Sequence, residues 1–148
     1  MTPIIVLAML VAAGAALVVQ NLIMVRITGA ASTVLITLVL NSSIGLVLLV
    51  GLLWWRNGAG FLTEITGLFR WWMVLPGILG SFFVFAGIMG YQRLGAAATI
   101  SVLVASQLVL GLLVDHARSG APLRDAAMPA LGAVLLVLGA WLVARRGF

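Results

Sequence analysis

Gln20 and Asn21 stand side by side in LVVQNLIMVR (17–26), an otherwise apolar run that ends on an arginine. An amide carries two N–H donors and a carbonyl acceptor, with no charge. Such groups can hold a polar solute or bond to another helix, but they cannot supply acid–base or nucleophilic chemistry. Further uncharged polar groups fall deep in other apolar runs: Asn41 with Ser42 and Ser43, and Ser106 with Gln107, with Ser81 and Thr99 as milder cases. Gln20 and Asn21 lie roughly 8 Å below Arg26 on a helix rising about 1.5 Å per residue. An unpaired polar group in hydrocarbon costs several kcal/mol, so these amides must face protein or a water-filled cavity. Two readings are open. Each residue taken singly fits an interhelical hydrogen bond that acts as glue. The set, spread over three helices, fits a polar path for a small solute, with Gln20, Asn21, Asn41, Ser106 and Gln107 as candidate binding residues. Within the adjacent pair, Gln20 is expected to bond across to another helix. Asn21 is expected to face a cavity, since it shares a face with Gly14, whose missing side chain would leave room.

Ionisable groups are absent from the middle of every apolar run. Proton-coupled carriers usually place one there. The nearest candidates are Asp115 and His116, at the end of the fourth run. A carboxylate is disfavoured at a helix C-terminus, so Asp115 reads either as an ion pair with Arg118 or Arg124, or as a proton or solute group. With one histidine, three acids and no cysteine, no metal site, disulfide frame or cofactor is expected, and nothing suggests an enzyme.

The elements that must carry these residues follow from composition. The chain has 148 residues, 64% apolar and 7% charged, whereas soluble domains carry roughly 25% charged residues. Its surface must therefore meet a lipid bilayer. The net charge of +5 comes from eight scattered arginines rather than a basic stripe, so no nucleic-acid partner is expected. A crossing needs about 20 apolar residues. Five runs qualify, giving an all-α membrane protein of one domain over 1–148, with helices at about 3–25, 33–55, 71–91, 95–114 and 126–144. Between the second and third, Trp54/Trp55 and Trp71/Trp72 mirror each other around Arg56 and Arg70. Interfacial Trp and the helical spacing of Phe61, Ile65, Leu68 and Phe69 predict a short helix at about 60–70 lying in the membrane interface.

Five crossings put Arg56, Arg70, Arg118 and Arg124 on one side and Arg26, Arg93, Arg145 and Arg146 on the other. Orientation follows Lys/Arg asymmetry, and there is none. Either unequal weights of single arginines choose one orientation, or copies insert both ways and pair as an antiparallel homodimer. The latter is an inverted-repeat transporter built from two chains. Gly132 and Gly139, seven residues apart in the fifth helix with Ala133 and Ala140 beside them, suit close helix packing.

The strings VVQNLIMVRIT, RWWMVLPGILGSFFVFAG, SVLVASQLVLGLLVDHARSGAPLR and GAWLVARR, together spread over nearly the whole chain, resemble the YdcZ family of small bacterial inner-membrane proteins, in the drug/metabolite transporter superfamily. The resemblance implies a multi-pass inner-membrane half-transporter of five helices, its short members pairing antiparallel. It implies that the first four helices line a solute cavity, which would hold Gln20, Asn21, Asn41 and Gln107, and that the fifth helps dimerise through the Gly132/Gly139 face. Many relatives read Gly-Gln-Leu and Asp-His-Phe-Gly where this chain has Ser106-Gln107-Leu108 and Asp115-His116-Ala117-Arg118. The second departure weakens any loop role carried over from that motif. In architecture the chain is also similar to small multidrug resistance exporters. Their first-helix glutamate has no counterpart here, so drug–proton antiport does not transfer. The expected function is a secondary transporter or facilitator of a small polar solute by alternating access. The alternatives are a dual-topology pore and a non-transporting membrane subunit.

Overall fold

The structure is a computed structural model that describes residues 2–119 and 127–145. Every element in it is helical: α1 (Pro3–Ala30), α2 (Val34–Asn57), α3 (Gly60–Leu68), a 3-10 turn (Trp71–Met73), α4 (Val74–Arg93), α5 (Ala96–Ser119) and α6 (Ala127–Ala144). Among the described residues, four spans are long and apolar enough to cross a membrane: Pro3–Ala30, Val34–Asn57, Trp71–Arg93 and Ala96–Arg118. Met128–Ala144 is a fifth, shorter apolar helix.

The helices outrun the apolar runs. α1 continues past Arg26 to Ala30 and α5 past Asp115 to Ser119, because the backbone ladder persists after the hydrophobic stretch has ended. At the third run the helix proper starts later than expected, at Val74, behind the 3-10 turn. Pro76 then occupies the first turn of α4, where its missing N–H leaves no bond unmade. Arg124 and Arg146, which enter the arginine balance, and Asp125 lie outside the described residues.

Two compact units are distinguished, Met1–Ile88 and Met89–Phe148. In the first, α1 and α2 form a hairpin turned at 31–33. After α2, Gly58 adopts φ 56°, which glycine tolerates without a Cβ clash, and the chain enters α3. Phe61 is buried and meets Trp54 edge to face, with ring centroids 6.2 Å apart. The rest of the apolar face of α3 (Leu62, Ile65, Leu68) and Phe69 beyond it are exposed.

In the second unit α5 packs against α6. The buried apolar positions there include Ala98 and Ala105 on α5 and Ala133 and Ala140 on α6. Alanines let two helix axes approach closely where lipid removes any hydrophobic drive. Gly132 and Gly139, about 100° round the helix from Ala133 and Ala140, are exposed, and a Cβ on either would meet nothing within 4 Å. At the chain's end Arg145 lies over the Trp141 ring, 4.6 Å from its centroid, a cation–π contact.

Very little of the spanning surface is covered by the chain itself. The most apolar windows of the four long spans are 0, 6, 11 and 17% buried, so lipid or another protein surface must cover the remainder.

Candidate functional site

Two polar bridges close the α1–α2 hairpin. Nearer its turn, Thr28 donates from Oγ1 to the Met24 carbonyl at 2.8 Å, and its oxygen lies 2.8 Å from Thr37 Oγ1. Because Thr28 has spent its only hydrogen on Met24, Thr37 must be the donor between the two hydroxyls. Both threonines are buried. The pair escaped the sequence reading, although Asn21, Met24 and Thr28 recur at the 3- and 4-residue spacing of one helix face.

Farther along, Gln20 Nε2 donates to Asn41 Oδ1 at 2.9 Å. This is the cross-helix bond expected of Gln20, and its partner is the deep amide of α2. Both residues line an open groove between α1 and α2, about 520 Å³ in volume, whose other walls are apolar (Ala16, Val19, Ile23, Met24, Ile27, Leu40, Ile44) except for Thr37. The bond leaves much unspent. Gln20 keeps its carbonyl and a second N–H, and Asn41 keeps both N–H groups and a lone pair.

Asn21 has a different neighbour from the one expected. It is buried, its Nδ2 donates to the Leu17 carbonyl at 3.0 Å, and it is not among the residues lining the Gln20–Asn41 groove. Gly14 is no part of its surroundings: a Cβ there would meet nothing within 4 Å. The glycine beside Asn21 is Gly87 of α4, where a Cβ would come 3.5 Å from Asn21 Oδ1. The two positions on α1 share a face, but they are about 10 Å apart along the axis, and Gly87 adjoins Asn21 while nothing comes within 4 Å of a Cβ at Gly14.

The remaining candidates sit in the second unit. Ser106 is exposed, donates to the Leu103 carbonyl at 2.8 Å, and lines an α5–α6 groove of about 530 Å³ with Ala105, Val109, Ala140 and Trp141. Gln107 is exposed one position on. Asp115 and His116 are exposed near the end of α5. Thr99 is buried and donates to the Gly95 carbonyl at 2.8 Å, a back-bond to the start of its own helix rather than a solute-facing group. The structure thus brings Gln20 and Asn41 into contact and sets Asn21 against Gly87. No group of metal-binding side chains occurs among the described residues.

The electrostatics of the α1–α2 site are those of dipoles alone. The only charge on α1 is Arg26 and the only charge on α2 is Arg56, each in the outer turns of its helix. Such a site can satisfy donors and acceptors of a neutral polar molecule, and it offers no counter-charge to a permanent cation.

Comparison with known proteins agrees with this membrane setting. The family model described as "Putative inner membrane exporter, YdcZ" matches residues 5–142. The inner membrane protein YdcZ of Escherichia coli (strain K12) is 59% identical over 143 residues, covering 96% of this chain and 96% of that protein. No solved structure matches.

Proposed function

The chain belongs to the YdcZ family of inner-membrane proteins, and on that premise we propose that it is a secondary transporter or facilitator of a small polar solute, working by alternating access as an antiparallel pair of identical chains. The observation that carries this is the Gln20–Asn41 pair. Two amides on the open side of a spanning hairpin keep several unspent donors and acceptors. Leaving them against lipid costs several kcal/mol, and in this reading a wet path or a solute, rather than a covering protein surface, meets them during the working cycle. Ser106 and Gln107, likewise exposed on a spanning helix, belong to the same path in this reading. Asp115 and His116, near the end of α5, are the proton-coupling or ion-pairing candidates.

Pairing of two copies is supported by three features. The arginines divide four against four. The spans are at most 17% buried in the chain alone. The Gly132/Gly139 face is open. In this arrangement α6 is the fifth crossing. Its 17 apolar residues rise about 26 Å, at the short end for a bilayer. The family description names an exporter, which favours outward transport.

The test is solute exchange by the purified chain in liposomes, with solutes first chosen by their effect on its thermal stability. Saturable exchange between an inner and an outer pool is expected. Unitary currents would replace the carrier with a pore, and absence of any flux would leave a non-transporting subunit. Arginines added in the 57–60 loop should force one orientation and abolish exchange, and coexpression with an oppositely biased variant should restore it. Full exchange by a variant of single orientation would refute the antiparallel pair.

A further inference from the structure

Asn21 is only 6% exposed, yet half of its amide is unspent. The orientation of the group is decided by chemistry: the atom 3.0 Å from the Leu17 carbonyl must be the nitrogen, because a carbonyl oxygen can only accept. The carbonyl oxygen of Asn21 therefore points the other way, to Gly87 of α4. No described residue donates a hydrogen bond to it. Nor is it sealed, because no buried side-chain oxygen or nitrogen among the described residues is both closed off and unbonded.

Gly87 is itself buried. Apart from its own helix backbone and its chain neighbours, the single heavy atom within 4 Å of the place a Gly87 Cβ would occupy is Asn21 Oδ1, at 3.5 Å. The result is a vacant notch, at least the size of a methyl group, with a lone acceptor on its wall. Close helix packing alone does not explain it, since a Cβ at 3.5 Å is an ordinary van der Waals contact and an alanine would fit.

We infer that Asn21 Oδ1 and the Gly87 notch form an acceptor subsite that takes an N–H or O–H donor, the solute being a neutral donor-bearing molecule such as an amide, a urea or a polyol. The solute part of this inference rests on the transport reading above; the acceptor and the notch do not. Asn21 serves as a binding residue through its oxygen, and Gly87 sets the space in front of it. A donor satisfies the Asn21 oxygen, which no described residue pairs, whereas the same molecule with its donors methylated would present bulk and no hydrogen. The same donor chemistry could come from water.

The experiment uses the full chain, purified in detergent, in wild-type and Gly87→Ala forms. Gly87→Ala is preferred to Asn21→Ala because its Cβ fills the notch without displacing any atom and leaves the Asn21–Leu17 bond intact. The probes are neutral amides, ureas and polyols, each paired with its N- or O-methylated analogue, and the readout is the shift in melting temperature. Donor-bearing members should stabilise the wild type and their methylated partners should not. Gly87→Ala should melt at or somewhat above the wild type without probe, since alanine is the better helix former, and lose the shift. Equal effects of parent and methylated compounds, or a shift retained in Gly87→Ala, would overturn the subsite. No shift from any member would assign the notch to water and overturn the solute assignment. A probe that binds in this donor-dependent way but is not exchanged across liposomes would sink the transport reading and leave the subsite standing. A probe exchanged equally by wild type and Gly87→Ala would do the reverse.

Discussion

Gly90 and Thr99 face each other across the α4–α5 corner, and the corner predicts a sharp mutational coupling. A Cβ on Gly90 would stand 2.5 Å from Thr99 Cγ2, 2.8 Å from its Oγ1 and 3.2 Å from its Cβ. Thr99 cannot simply turn away. It is 5% exposed, its Oγ1 is bound to the Gly95 carbonyl at 2.8 Å, and its branched side chain has few χ1 options. Gly90→Ala therefore forces either a backbone shift or loss of that hydrogen bond. Overpacking of this severity costs about 3 kcal/mol, at the upper end of the usual range. The better helix propensity of alanine returns about 1 kcal/mol, leaving a net loss of about 2 kcal/mol. Thr99→Ala removes the two nearest atoms and keeps the milder 3.2 Å contact, at the cost of one hydrogen bond, about 1 kcal/mol. In the double variant Gly90→Ala/Thr99→Ala most of the clash is gone. Its loss should fall short of the sum of the single losses by about 2 kcal/mol, far outside the roughly 0.3–0.5 kcal/mol expected of independent sites. The assay is a reversible unfolding titration of the purified chain in detergent, run as a double-mutant cycle. Gly67→Ala serves as a control, since a Cβ there meets nothing within 4 Å. Additive losses, or a Gly90→Ala variant as stable as the control, would refute the close-approach argument.

The Gln20–Asn41 bond should be visible in the same assay: Gln20→Ala and Asn41→Ala should each cost about 0.6 kcal/mol or more, the usual size of an interhelical bond in membranes, with the double variant costing little beyond the larger single. Equal, additive losses would mean that the two amides act separately. Gly139→Leu should lower the crosslinked dimer fraction of the reconstituted protein by separating two helix backbones. Gly67→Leu on α3 should not, and equal crosslinking in both variants would remove the Gly132/Gly139 face from the interface.

The helices themselves were legible in the sequence because crossing a bilayer is a one-dimensional constraint. Hydrocarbon thickness sets a length, hydropathy marks where it is met, and the backbone has no water to bond to inside it. The apolar runs fall where α1, α2, α4, α5 and α6 fall, and the Trp-flanked spacing of Phe61, Ile65 and Leu68 located α3 within two residues. The ends were less legible, since Ala30 and Ser119 lie where the apolar pattern has stopped but the backbone ladder has not. Composition likewise determined the all-helical class, and the quoted strings led to the YdcZ family.

Which side chains meet was a different matter. A helix face can be read from a period of 3.6 residues, but not the neighbour that covers it or the level at which that neighbour comes close. Gln20 could be expected to bond across to some helix, and only the α1–α2 register chose Asn41. Gly14 and Gly87 are equally bare on paper. The position of Gly87 against Asn21, with nothing within 4 Å of a Cβ at Gly14, made Gly87 the residue that leaves an acceptor open. Ala133 and Gly132 are adjacent in sequence and similar in size, and the packing of α5 buried the one and left the other free. Spans and composition come from each segment's contact with its solvent, so the sequence carries them locally. The amide pair, the notch and the small-residue seam come from contacts between segments distant in sequence, and only the tertiary structure decides those.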